Sequence, residues 1–430
     1  MYQDLKLAIN NYDIEKVKYF LKSIEEDGNL DDEAMSEVFE DVVFGIYHAH
    51  SEEKIDTRIK IVKCLFEVHK QTNILKRLVG KIIAIGRDER DKEKALYYIK
   101  LFLFFIDNKI NDSDIEMAYI REIFYVLCLY GDIIFIKYFN NYFNNIDINF
   151  ITSNDYKDTI LCAVIRKGDI EVVTYLLKNK ADVELGVGNF IATPLCIATY
   201  QNKFDIVKLL LEYGAMPNTK ERPLSIASNK GNFDIVKILL EYGAIFKQSD
   251  FIEAVESKNI EIVKLFMNNF KIDENTINDA FCIESYYHDV ECMSFLLENG
   301  AKIDSVDKNG NSTLSIASYG GKIDIVKILV KHKANIELKN NFSNTPLLRA
   351  TLENNIEVVE FLVKNGADIN IANNFGITPL MRAVLINSID LVESILKYDV
   401  DINKTDKNGK KALDKAIDFD YKEIVKLLAA

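Results

Sequence analysis

Apolar residues along this chain fall in couplets separated by polar positions. Ile206, Val207, Leu210 and Leu211 occupy positions i, i+1, i+4 and i+5, with Asp205 and Lys208 on the intervening turn. That spacing places four apolar side chains on one face of a helix and the charges on the other. A shorter pattern precedes this helix. Leu195 and Ala198, Leu347 and Ala350, and Leu380 and Ala383 stand three apart, again on one helical face. Thr193-Pro194, Thr345-Pro346 and Thr378-Pro379 come just before these pairs and place a capping hydroxyl ahead of a proline, a preferred helix opening. Gly214, Gly300 and Gly366 follow the second helices and predict a left-handed turn at each end.

The two-helix pattern recurs. Ala301, Ala334, Ala367 and Val400 are spaced by 33 residues, and the interval from Ala181 to Ala215 is one residue longer. A single unit cannot bury its own apolar face, so a repeat of this period predicts helix pairs stabilised by stacking.

The Thr-Pro-Leu opening, the central alanine, segments such as DIVKLLLEYGA and the Gly-Ala endings resemble the ankyrin repeat, from about Asp155 to the C-terminus. The resemblance implies an all-α solenoid of stacked helix-turn-helix repeats with β-hairpin-like connecting loops. We expect residues 151–430 to hold about nine such repeats. The connector from Ala215 to Pro223 is shorter than that from Ala367 to Pro379, and the Thr-Pro-Leu opening is missing between Ala244 and Ala254. Repeats around 219–304 are therefore expected to carry shortened hairpins.

Residues 1–150 carry fainter echoes. Asp13-Ile14-Glu15-Lys16-Val17, Ile61-Val62-Lys63-Cys64-Leu65 and Ile133-Ile134 with Tyr138-Phe139 resemble second helices. We read this region as about four degenerate repeats with longer loops, with a separate helical-hairpin cap as the alternative. Together the two regions would make about 13 repeats.

Composition narrows the function classes. Hydrophobic residues are 48% of the chain, enough for an extensive core, and the 5 prolines and 18 glycines are too few for an all-β protein dense in turns. The net charge of −13, with Lys and Asp/Glu interspersed, argues against nucleic-acid binding. It serves solubility, or favours a basic protein partner. The start MYQDLKLAINNYD has no basic segment leading into an apolar one, and the most apolar window, 97–106, is too short to span a bilayer. The six cysteines include no CxxC pair and read as buried thiols. A monomeric cytoplasmic protein with no membrane role is expected, with export as an effector held open.

Catalytic and metal signatures are sparse. His48 and His50 lie two apart, do not share a helical face, and have no third ligand at metal spacing. No phosphate-binding loop, HExxH or GxSxG is present. Cys162 and Cys196 fill a slot where the ankyrin family most often has histidine. Ser225, Ser315, Leu348 and Met381 fill it elsewhere, so the slot is packing space. No cofactor, metal or catalytic residue is expected.

The ankyrin resemblance implies contact through hairpin tips and the inner face of the first helices. Tyr156, Phe190, Phe342 and Phe375 each precede the Thr position by three residues, at or near a tip. They could anchor a partner, as aromatic hot spots do, or fold against the adjacent hairpin. Arg166, Tyr200, Tyr319, Leu352 and Leu385 share one first-helix position, and Arg349 and Arg382 share another, one turn earlier. This row reads either as a partner-binding groove, in which the arginines take a carboxylate, or as a solvated inner face. The expected function is a non-catalytic scaffold for a protein partner. A dedicated inhibitor or immunity-type protein, a secreted effector, and an enzyme with its catalytic unit in the N-terminal third are the alternatives.

Overall fold

The computed structural model describes residues 2–11, 13–26, 38, 60–61, 64–65, 117–130, 133–143, 146–151, 158–186, 192–287 and 289–429. The chain divides into two compact units, Met1–Ile197 and Ala198–Ala430. The fold is an all-α repeat solenoid, with 22 helices among the described residues.

In the first unit, α1 (Tyr2–Asn10) packs on α2 (Ile14–Glu26), burying Leu5, Ala8 and Ile9 of one and Val17, Leu21 and Ile24 of the other. Downstream, α3 (Met117–Tyr130) pairs with α4 (Ile133–Tyr142), where the buried rings of Phe124 and Phe139 lie 6.1 Å apart. Helix α3 also packs on α5 (Ile160–Lys167), which pairs with α6 (Ile170–Lys178). An antiparallel bridge joins Ile151 to Thr159 just ahead of α5. Thr159 Oγ1 then accepts from the Cys162 N–H at 3.2 Å and opens the helix.

The unit boundary falls within α7 (Pro194–Tyr200). The second unit continues with α8 (Phe204–Glu212), α9 (Pro223–Asn229), α10 (Phe233–Glu241), α11 (Gln248–Glu256), α12 (Ile260–Asn269), α13 (Glu274–Tyr287) and α14 (Val290–Glu298). It ends with α15 (Thr313–Tyr319), α16 (Ile323–Lys331), α17 (Pro346–Leu352), α18 (Ile356–Lys364), α19 (Pro379–Leu385), α20 (Ile389–Leu396), α21 (Ala412–Asp418) and α22 (Lys422–Ala429). The odd-numbered helices from α9 to α21 pack in sequence, forming one layer of this unit. The even-numbered helices pack alongside them as the second layer.

Local chemistry sets each element. Thr345 Oγ1 and Thr378 Oγ1 each accept, at 3.3 Å, from the amide three residues on, and the prolines that follow have no N–H to leave unsatisfied. Ile206, Val207, Leu210 and Leu211 are all buried, so the apolar stripe of α8 is its packing face. The helix ends at Gly214, at φ +91°. There the Ala215 N–H reaches the Leu210 carbonyl at 3.0 Å and the Gly214 N–H reaches the Leu211 carbonyl at 3.0 Å.

Connector length varies along the second unit. Residues 365–378 link α18 to α19, whereas 242–247 suffice between α10 and α11 and 270–273 between α12 and α13. In these short connectors ring packing stands in place of a hairpin. Phe246 stacks 4.4 Å from Phe270, with interplanar angle 13°, and lies 5.0 Å from buried Phe266.

Candidate functional site

The hairpin tips of the second unit are built on one device, repeated. Asp307, Asn340, Asn373 and Asp406 each open a tip, and their Oδ1 atoms accept backbone N–H groups from two and four residues ahead, at 2.8–3.1 Å. The tips are then tied together. The Asn341 N–H donates to the Asn309 carbonyl, the Asn374 N–H to Phe342 and the Lys407 N–H to Phe375, each at 3.1 Å. Buried amides reinforce the row, with Asn340 Nδ2 donating to Asn311 Oδ1 at 2.7 Å.

On this fixed backbone the Phe342 and Phe375 side chains project, 55% and 60% exposed. The link from Asn374 to Phe342 sets the two rings on adjacent, covalently distant but rigidly connected tips. The other two tip aromatics, Tyr156 and Phe190, lie outside the described residues, as do His48 and His50.

The first-helix row divides between the units. Arg166 belongs to the first unit, where its Nη1 is ion-paired with the carboxylate of buried Asp158. Tyr200 is 62% exposed in the second unit, with Lys230 Nζ 4.3 Å above its ring centre. Further along, the guanidinium carbon of Arg349 lies 3.9 Å from the centre of the Tyr319 ring. Glu353 hydrogen-bonds the Tyr319 phenol and raises its pKa. Tyr319 is also positioned from behind, because Asn355 Nδ2 donates to the Ser318 and Tyr319 carbonyls at 3.0 and 2.8 Å.

Arg349 and Arg382 are half-buried at the same position of α17 and α19, with half-buried Leu352 and Leu385 one turn on. The Nε atoms of both arginines are buried without an acceptor. Burial lowers the pKa of each guanidinium, and for Arg382 no charged neighbour among the described residues offsets it. Tyr286, at the end of α13, and Asp307 also bear on Arg349 electrostatically. Tyr286 was missed in the sequence because α13 is longer than its counterparts and lacks their Thr-Pro opening. The Asp/Asn recurrence at 307, 340, 373 and 406 could have been found from its 33-residue spacing.

Among the described residues no group of three or more His, Cys, Asp or Glu side chains could hold a metal ion. No described helix is long and apolar enough to cross a membrane.

The site is thus a rigid, repeated surface of tips and first helices, the architecture of a helical repeat protein. The family model for ankyrin repeats matches residues 123–221, 186–250, 251–340, 280–373 and 369–430, and the chain belongs to the ankyrin-repeat family. A putative ankyrin repeat protein of Acanthamoeba polyphaga mimivirus, R599, is 28% identical over 158 residues, covering 35% of this chain and 44% of that protein. Glycerophosphocholine phosphodiesterase GDE1 of Candida albicans is 37% identical over 71 residues, 16% of this chain and 6% of the enzyme. The chain therefore spans less than half the length of these curated relatives. Ankyrin repeats are protein-interaction modules, and the family is generally non-catalytic. A match to 6% of a phosphodiesterase carries no activity across.

Proposed function

We propose that this chain is a non-catalytic scaffold that binds a partner protein through the hairpin tips and first-helix face of its second unit. The observation that carries this reading is the pair of exposed rings, Phe342 and Phe375, held on tips whose backbones are hydrogen-bonded to each other. Large apolar side chains presented on a preorganised backbone lose little entropy on binding and make effective anchors. Residues 151–430 act as the interaction module and 1–150 as degenerate repeats. The chain works as a monomer in the cytoplasm, and its net charge of −13 draws basic surfaces towards it. Occlusion of a single target, as by a dedicated inhibitor, would use the same surface.

The test is affinity purification of the tagged chain from its native cell, beside a variant carrying F342A and F375A. Loss of the main partner with helix content unchanged supports the reading. Recovery of the same partner by the folded double variant would sink it.

A further inference from the structure

We infer that Arg349 and Arg382 form a two-point clamp for an acidic segment of the partner, in which two carboxylates three residues apart each engage one arginine. This rests on the proposed function and names the chemistry of the segment that the first-helix face accepts.

The argument begins from an unmet requirement. A guanidinium taken partly out of water needs acceptors or a counter-charge. Arg166 and Arg222 meet this within the fold, paired with the buried carboxylates of Asp158 and Asp250. Arg349 feels the carboxylates of Asp307 and Glu353 only from beyond ion-pair distance, and among the described residues no charged group acts on Arg382. Neither forms an ion pair or side-chain hydrogen bond among the described residues, and each keeps a buried Nε without an acceptor. In a chain with 66 acidic residues against 53 basic ones, two neighbouring arginines without a direct ion pair are a local exception to the overall field.

Preorganisation points the same way. Arg349 lies against the face of Tyr319, a contact that holds the planar guanidinium in one orientation. Leu352 and Leu385 provide half-exposed apolar surface beside the two charges. The occupant therefore combines carboxylates with apolar side chains, unlike a free anion.

Spacing sets the register. Helices α17 and α19 pack side by side, which places equivalent residues about 10 Å apart. A polyproline-II segment returns to the same face every three residues after advancing about 9 Å. Acidic residues at i and i+3 of an extended peptide thus match the two arginines, whereas i and i+2 do not.

The test is selection of peptides from a random library on the immobilised full chain, followed by titration of labelled winners by fluorescence anisotropy. The expected winners carry two Asp or Glu three residues apart in an apolar context. R349A and R382A should each weaken binding at least about tenfold, the size of a lost charge-assisted hydrogen bond. R382K should restore only part of the affinity, and Glu→Gln changes in the peptide should reproduce the loss. Circular dichroism of each variant checks folding.

Absence of any winner, winners without the acidic pair, or acidic winners that bind R349A/R382A like the wild type would each overturn the clamp. Arginine-dependent binding of inorganic phosphate that excludes the peptides would reassign the pair to a free anion. Arginine-dependent self-association would reassign it to a second copy of the chain. If F342A/F375A loses the cellular partner while R349A/R382A retains it, the clamp fails and the proposed function stands.

Discussion

Asn340 donates from Nδ2 to Asn311 Oδ1 across 2.7 Å, and both side chains are buried between neighbouring hairpins. The Oδ1 of the same Asn340 accepts the Phe342 and Asn344 amides at 2.9 Å, so one side chain shapes its own tip and joins it to the preceding one. Asn340→Ala removes all three bonds and leaves the Asn311 oxygen without its donor. We expect a loss of about 2 to 3 kcal/mol, read as a lower urea midpoint at constant slope. Asn340→Asp keeps the Oδ1 acceptor but sets a buried carboxylate oxygen against Asn311 Oδ1, so it should cost at least as much, about 2 to 3 kcal/mol.

Two glycines in equivalent tips separate backbone strain from crowding. Gly376 and Gly409 share φ +75°. A Cβ on Gly376 would sit 2.8 Å from both the Asp406 Cα and the Lys407 N, whereas one on Gly409 meets nothing within 4 Å. Gly409→Ala should therefore cost only the left-handed strain, about 1 kcal/mol, and Gly376→Ala roughly 2 to 4 kcal/mol, because backbone must move. Thermal melts of the two variants compare them directly. Equal losses would show that neighbouring tips yield freely.

The helix pairs were legible because their determinants are local. The Thr345 and Thr378 hydroxyls, the proline beside each, and the Ile206-Val207-Leu210-Leu211 stripe act within one or two turns. The tip row was only partly legible. Phe342 and Phe375 could be placed by counting from Thr, and the Asp/Asn recurrence by its 33-residue spacing, but the bonds these side chains make to neighbouring hairpins could not. Side-chain fates within the first-helix row were not legible. Arg166 and Arg382 both look exposed in sequence. One is bound by Asp158, eight residues upstream, while among the described residues no acid is placed to meet the other.

Arg222 and Asp250 test how much a paired charge matters where the connectors shorten. Asp250 is wholly buried and accepts from the Lys247 N–H at 2.8 Å as well as from Arg222, whose Nη1 also donates to Ser249 Oγ at 2.9 Å. Burial still holds the Asp250 pKa above the ordinary aspartate value. Arg222→Ala strands that carboxylate and should destabilise the chain by roughly 3 kcal/mol. Asp250→Asn in the same background should recover part of the loss, since it removes the unpaired charge. A double-mutant cycle in urea measures both, and no recovery would mean that the arginine contributes through packing alone.

Glu284 provides the pH dependence. It lies in α13 with no exposed surface, where the Cys292 thiol and the Asp289 amide approach its carboxyl group without closing well-formed hydrogen bonds. Burial raises its pKa from an ordinary 4.5 to about 7. Asp289 pushes it further up, while the Cys292 thiol, the Asp289 amide and Lys258 act in the opposite direction. Below about pH 4 the group is protonated in both folded and unfolded chains and costs nothing. As pH rises above 4.5 the unfolded chain releases the proton while the folded chain keeps it, so stability falls until about pH 7 and is then flat with respect to this group. The full effect is on the order of 3 kcal/mol. Glu284→Gln should remove this slope and leave the variant more stable than wild type at pH 8 but not at pH 4.5, as read from urea midpoints at the two values. Parallel pH profiles for the two proteins would place the titrating group elsewhere.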